Sequence, residues 1–359
     1  MARRDGVGGL EGLAMVTIKE IARAVGVSST TVSRVLNCDP TLSVSHGKRQ
    51  AIVETAESLN YLTPRSRNRL VSAAPWLSPG LAKIALIHFL RPAEELADPY
   101  YVGVRLGIEN RCQALKIELV KAYRDESPPD AMLMQGAAGI IAVGNHSSRE
   151  IALLRQDARS LVFADFCPVG DSFDCVECDL RLATRRLLQS LFDLGYRRIG
   201  FIGDHEIQDD VVMPLGEKRC AAYIDWMREK GLFDSALCLV DRCRLSFEGG
   251  YQLARDMLAG AGFPEILVTA NDNMAIGAYR AIMEKGLSIP RDIGVASFND
   301  IPAAQFLAPP LSTVKIHAER IGETAVDLLL EQAAGREFVK KVTISTEMIW
   351  RESCRAPRA

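Results

Sequence analysis

The chain has 359 residues, 48% of them hydrophobic and 25% charged, with a formal net charge of −2 and nine cysteines. It has no run of eighteen apolar residues, which excludes a transmembrane helix, and its opening MARRDGVGGLEGLA is basic without an apolar core, which excludes a secretory signal. An odd number of widely spread cysteines suits a reducing compartment.

Residues 1–14 read as a disordered tail, or as an over-extended start with Met15 as initiator. Next, Ile18, Ile21, Ala22 and Val25 recur at helical spacing and make one apolar stripe. Thr17 with Glu20 has capping-box form, so a first helix starts there. Gly26 supplies a turn, where a left-handed backbone costs a residue without a Cβ nothing. Ser28 then caps a second helix. Its Val32, Val35 and Leu36 face inward, and Ser29, Thr30, Ser33, Arg34 and Asn37 are left outward. Short polar side chains and one Arg on such a helix suit a DNA major groove. The plainer alternative is a helical hairpin with a solvated face.

Residues 45–60 form a third helix, with Ile52, Val53, Ala56 and Leu59 packing on the first two. Gly47 weakens its start by roughly 1 kcal/mol relative to Ala. Residues 64–71 are short, polar and basic, so an isolated helix there is marginal, and 72–80 read as a linker. Segment 15–70 carries eight basic against four acidic side chains, a charge of +4, which leaves −6 on the rest. That asymmetry suits a basic DNA-facing module on an acidic body.

About 280 residues follow, enough for two α/β lobes. Strands are expected at 83–90, 139–144, 161–166, 198–203, 265–270 and 293–298, with helices at 181–194, 217–230 and 272–285. Continuous apolar strands separated by amphipathic helices imply doubly wound parallel sheets covered on both faces. Cys175 and Cys178 have metal-like spacing, but the segment reads as a strand with no second pair nearby, so no metal is expected. The chain holds no G-x-x-x-x-G-K-[ST], G-x-S-x-G or H-E-x-x-H motif, and no histidine spacing that suggests a catalytic pair. No enzyme and no cofactor are expected.

The VTIKEIA start, GVSSTTVSRVLN at 26–37 and LNYLTP at 59–64 together resemble the DNA-binding headpiece of the LacI/GalR family of bacterial transcription regulators. NDNMAIGA at 271–278, FND at 298–300 and PPLSTV at 309–314 resemble the family's effector domain. The resemblance implies a three-helix helix-turn-helix headpiece at 15–62, a hinge helix at 63–72 and a linker at 73–82. A two-lobed, periplasmic-binding-protein-like effector and dimerisation domain follows at 83–351, with the chain crossing between lobes near 178, 315 and 340. It also implies base reading by Ser29, Thr30 and Arg34. Thr17, Ser28, Thr31, Ser33 and Asn37 become backbone contacts, and Leu70 becomes a wedge in the minor groove. Arg67 departs from the small residue usual beside that wedge, and 45–48 depart from the family's acidic and Thr residues.

In open parallel sheets, ligands bind beyond the carboxyl ends of the strands. Here those ends carry Asp165, Asn271, Asp272, Asn299 and Asp300, and Arg219 matches the family's effector-binding Arg. Planar Asn, Asp and Arg side chains grip vicinal hydroxyls while an apolar side chain covers a sugar face. The expected effector contacts are Asp165, Arg219, Asn271 and Asn299, with Leu245 or Phe247 as cover. Asp272 and Asp300 are expected to cap helices or to make hydrogen bonds between strands. Asn299 stands where lactose-type repressors carry Asp.

The expectation is a cytoplasmic, nucleoid-associated repressor of sugar-utilisation genes. It binds a palindromic operator as a homodimer or tetramer and answers to a small sugar. DPTL at 39–42, DPYY at 98–101, FNDIP at 298–302 and LSTVKIH at 311–317 resemble the Ebg-type repressors of β-galactosidase genes, which implies a β-galactoside or galactose. The alternatives are another effector, a protein corepressor, or a DNA-tethered sugar-processing enzyme.

Overall fold

The computed structural model describes residues 18–36, 44, 46–58, 83–124, 137–157, 160–205, 207–208, 211–212, 217–241, 245–260 and 262–355. They fall into two compact units, one within 1–75 and one within 76–359.

The first unit is three helices: α1 (Ile18–Val25), α2 (Ser29–Leu36) and α3 (His46–Ser58). Gly26 turns between the first two at φ +68°. The Ser28 hydroxyl accepts from the Thr31 amide at 3.1 Å and so caps α2 as expected. Ile21, Ala22, Val32, Val35, Ile52 and Ala56 form the core, with Ile18, Val25 and Leu36 against it. This is the inward set read from spacing. The Val53 side chain, Leu59 and the hinge segment lie outside the described residues, as do Thr17, Asn37 and Leu70.

The second unit holds two six-stranded sheets. Lobe 1 begins with β1 (Lys83–His88), α4 (Pro92–Leu96), α5 (Pro99–Ala114) and β2 (Glu118–Tyr123). It continues with β3 (Ala137–Val143), α6 (Ser148–Asp157), β4 (Leu161–Ala164) and β5 (Asp174–Cys178). Lobe 2 contains α7 (Leu180–Asp193), β6 (Ile199–Asp204), the short pair β7 (Ile207–Gln208) and β8 (Val211–Val212), α8 (Lys218–Glu229) and β9 (Cys238–Asp241). Then come α9 (Phe247–Ala259), β10 (Ile266–Thr269), α10 (Asp272–Glu284), β11 (Gly294–Asn299) and β12 (Ser312–Lys315). The chain returns to lobe 1 for α11 (Ala318–Ala333) and β13 (Lys341–Ile344), and ends in lobe 2 with β14 (Glu347–Ile349).

The strand orders are β13-β5-β4-β3-β1-β2 and β14-β12-β11-β10-β6-β9. Every pair in the two sheets is parallel except β12 with β14. The chain thus passes between sheets after β5, after β12 and after β13. Ala183, Val314 and Thr346, one from near each passage, line a single small cavity, so the three passages lie together.

Each lobe has one pair of helices in close contact through glycine. A Cβ on Gly107 of α5 would lie 2.0 Å from the Glu319 carbonyl oxygen of α11, and one on Gly277 of α10 would lie 2.0 Å from that of Phe247 in α9. Only a hydrogen permits backbones to approach so closely.

The cysteine reading needs one correction. Cys167 and Cys175 are joined by a disulfide that closes the loop after β4. Cys175 is therefore not a free thiol, whereas Cys178, three residues on and facing the other side of the strand, is buried and free.

Candidate DNA-reading helix and effector crevice

On α2, Thr30 is exposed and Ser29, Thr31, Ser33 and Arg34 are half-buried, outside the Val32–Val35 core stripe. The Ser28 hydroxyl is engaged with Thr31 at the cap.

The effector crevice follows from strand order. In lobe 1, β1 leads outward to β2 while β3 leads the other way to β4, and in lobe 2 the same divergence separates β6 from β10. At such switch points the following loops part and leave a crevice at the carboxyl ends. Phe89 and Gly144 flank the first switch point, and Arg219 and Asn271 stand beside the second.

Among the described residues, five other than glycine have positive φ, and four carry or adjoin expected effector contacts: Asp165 (+59°), Leu245 (+51°), Asn299 (+108°) and Asp300 (+55°). Such conformations cost roughly 1–3 kcal/mol each and persist where the surroundings impose them, often at binding sites.

On the lobe 1 side, Asp98 caps α5 by accepting from the Tyr100 amide at 3.1 Å. The Tyr100 hydroxyl donates to Asp165 at 2.6 Å, with the Tyr101 ring beside it. Loss of water pushes the Asp165 carboxyl up to about 6, against the pull of both tyrosines and of Arg219 and Lys218. The Tyr101 ring meets Phe89 edge-on at 4.9 Å, so this wall is aromatic. His88, buried behind it, is pushed down to about 4 by burial and is neutral.

On the lobe 2 side, Arg219 is buried in the first turn of α8. Its Nε donates to Glu217 at 2.9 Å and its guanidinium lies 5.6 Å from the Phe298 ring centre. Asp165 and Asp98 both feel its charge.

Asn271 differs from expectation. Its Oδ1 caps α10 by accepting from the Met274 amide at 2.9 Å, and its Nδ2 donates to the Leu245 carbonyl at 3.0 Å. The amide shapes the crevice by holding the Leu245 bend. Asp272 and Asp300 are not caps. Asp272 accepts from the Thr313 hydroxyl at 2.8 Å and the Ile301 amide at 2.9 Å, because it points back under β11 and β12. Asp300 pairs with Arg351 at 2.7 Å. Leu245 packs against the core, whereas the Phe247 side chain is 36% exposed. Asn299 forms the left-handed end of β11.

Among the described residues, two polar contacts cross the crevice: Lys218 Nζ to Glu177 at 2.6 Å, and Asn273 Nδ2 to the Ala97 carbonyl at 3.2 Å. Sequence reasoning missed Tyr100, Tyr101, Asp98 and Asn273 as part of this region. The first three were visible only within the DPYY resemblance. Asn273 gave no signal, since it reads as an interior helical position.

Two family models match the chain: "Bacterial regulatory proteins, lacI family" over residues 17–64 and "Periplasmic binding protein-like domain" over 188–354. The HTH-type transcriptional repressor MelR of Bacillus subtilis is 34% identical over 346 residues, covering 95% of this chain and 98% of its own. The chain belongs to the lacI family of bacterial regulatory proteins. A lactose operon repressor of Rhizobium radiobacter is 62% identical over 112 residues, 31% of this chain and 99% of its own. In fold, this lacI-family regulator matches a lac repressor dimer bound to operator and an anti-inducer, with a TM-score of 0.65 at 22% identity over 94% of this chain and 99% of that one. Membership makes the chain a DNA-binding transcription regulator with a sugar-binding-type domain. Its relatives are named as regulators and repressors, which places its function in gene control and not in catalysis.

Proposed function

We propose that the chain represses sugar-utilisation genes. Ser29, Thr30 and Arg34 read a palindromic operator as part of a homodimer, and a neutral galactoside or galactose between the lobes releases the DNA. The observation that carries the effector class is the charge around Arg219. The Arg219 guanidinium and the Lys218 ammonium stand with four carboxyl groups, Glu217, Glu177, Asp165 and Asp98. That balance opposes an anionic or phosphorylated ligand and leaves hydroxyls as the groups best matched to the crevice. The Ebg-type segments and the 62% likeness to a lactose operon repressor support a galactoside among neutral sugars.

The sugar must favour one lobe arrangement. A tenfold change in operator affinity needs about 1.4 kcal/mol of difference between states. The test is a thermal-shift series with lactose, galactose, methyl β-galactoside and glucose 6-phosphate, followed by titration of an operator complex. A sugar at roughly 100 times its dissociation constant stabilises the fold by about 2.7 kcal/mol, a visible shift. Galactosides should shift the melt and release operator, and Arg219→Ala should lose both responses. A shift with the phosphosugar alone would overturn the effector class. Tighter operator binding with sugar would make it a corepressor.

A further inference from the structure

Asn273 lies in the first turn of α10, two residues past the capping Asn271, and only 5% of it is exposed. Its Nδ2 donates to the Ala97 carbonyl, which belongs to the other lobe. A carbonyl can only accept, so this bond fixes the amide with nitrogen toward Ala97 and oxygen away. That oxygen, Oδ1, is buried and meets no donor among the described residues. Buried acceptors are seldom left unpaired in native proteins, and an orphan beside a ligand crevice points to a partner that arrives with the ligand. Asn271, by contrast, has both ends of its amide engaged.

We infer that Asn273 Oδ1 accepts a hydrogen bond from one hydroxyl of the effector, and that Nδ2 ties this recognition to lobe 1. The inference rests on the neutral-sugar reading above. A hydroxyl donating to Oδ1 polarises the amide and strengthens its bond to Ala97, so recognition and closure share one side chain. The site calls for a hydroxyl donor. A deoxy or ether group at that position leaves Oδ1 unpaired and is rejected.

The experiment measures, by calorimetry on the full chain, the binding of galactose, lactose, methyl β-galactoside and cellobiose, and of monodeoxy analogues of the tightest binder. Wild type, Asn273→Ala and Asn273→Asp are compared, with thermal midpoints read alongside. Asn273→Ala should weaken the parent sugar by about tenfold. One deoxy analogue, weakened by a similar factor against wild type, should lose no further affinity against Asn273→Ala. Asn273→Asp keeps an acceptor and should retain that deoxy penalty while every sugar binds more weakly. Asn273→Leu, measured alongside, has similar size and no acceptor; it should lose that penalty, and it carries the test if the alanine variant does not fold. Equal weakening of all sugars by Asn273→Ala, with every deoxy penalty intact, would make the residue a structural tie and overturn the inference. If a sugar binds and Asn273→Ala binds it like wild type, only this inference falls. If no sugar in the panel binds wild type, the neutral-sugar reading falls with it.

Discussion

The Tyr100 hydroxyl donates to the Asp165 carboxylate at 2.6 Å, joining the start of α5 to the residue that follows β4. Asp165 thus holds a donor before any ligand arrives. Its first role in the crevice is therefore to orient Tyr100.

The same arrangement sets a pH dependence. The Asp165 carboxyl is raised from 3.8 to about 6 by loss of water, so between those values the folded chain holds a proton that the unfolded chain has released. The folded state is favoured by that proton at low pH, and the advantage disappears as pH rises through about 6. Relative to wild type, Asp165→Asn should gain on the order of 2 kcal/mol between about pH 4 and pH 6.5. Denaturant titration of both proteins at several pH values measures this. A variant that loses ground as pH rises would show that the native carboxylate is held below its ordinary range.

Gly107→Ala should destabilise the second unit. The added Cβ would press on the Glu319 backbone, 2.0 Å from its oxygen, and backbone cannot rotate away as a side chain can. Overpacking of this type costs roughly 1–3 kcal/mol, a fall of several degrees in the unit's melting temperature. An unchanged melt would mean that α5 and α11 slide apart freely.

For DNA, Arg34→Ala should reduce the difference between operator and random duplex by roughly 1–3 kcal/mol, as for an Arg paired to guanine. Lys48→Ala, on exposed α3 surface, should weaken both duplexes alike, as for a phosphate contact. Fluorescence anisotropy at fixed salt separates the two. Equal losses for both duplexes with Arg34→Ala would remove it from the base-reading set.

The strands that were legible in the sequence are those buried on both faces: β1, β4 and β10 fall within expected apolar runs, and β3, β6 and β11 overlap theirs to within two residues. The edge strands β2, β9, β13 and β14 were not legible, because half-exposed strands carry polar residues and lack a continuous run. Central β12 was missed for a different reason. Its Ser312 and Thr313 are buried but hydrogen-bonded to Arg351 and Asp272, and hydroxyls that find distant partners look like loop residues in one dimension. The crevice divides in the same way. Strand-end position brought Asp165, Asn271 and Asn299 to notice, and the family resemblance brought Arg219. Which atoms of Asn271 and Asn273 are already engaged depends on Leu245 and Ala97, far away in sequence.

The three neighbouring passages between lobes restrict how the crevice can move. A single tether would let one lobe swing, slip and twist against the other. Three straps lying together leave one soft rotation about their common line and stiffen the rest. A ligand's differential affinity is thereby directed into one angle instead of being dispersed over many. Ligands of different shape that bridge the gap would then drive the same displacement, and their identity would be reported only by how far and how often that one angle closes.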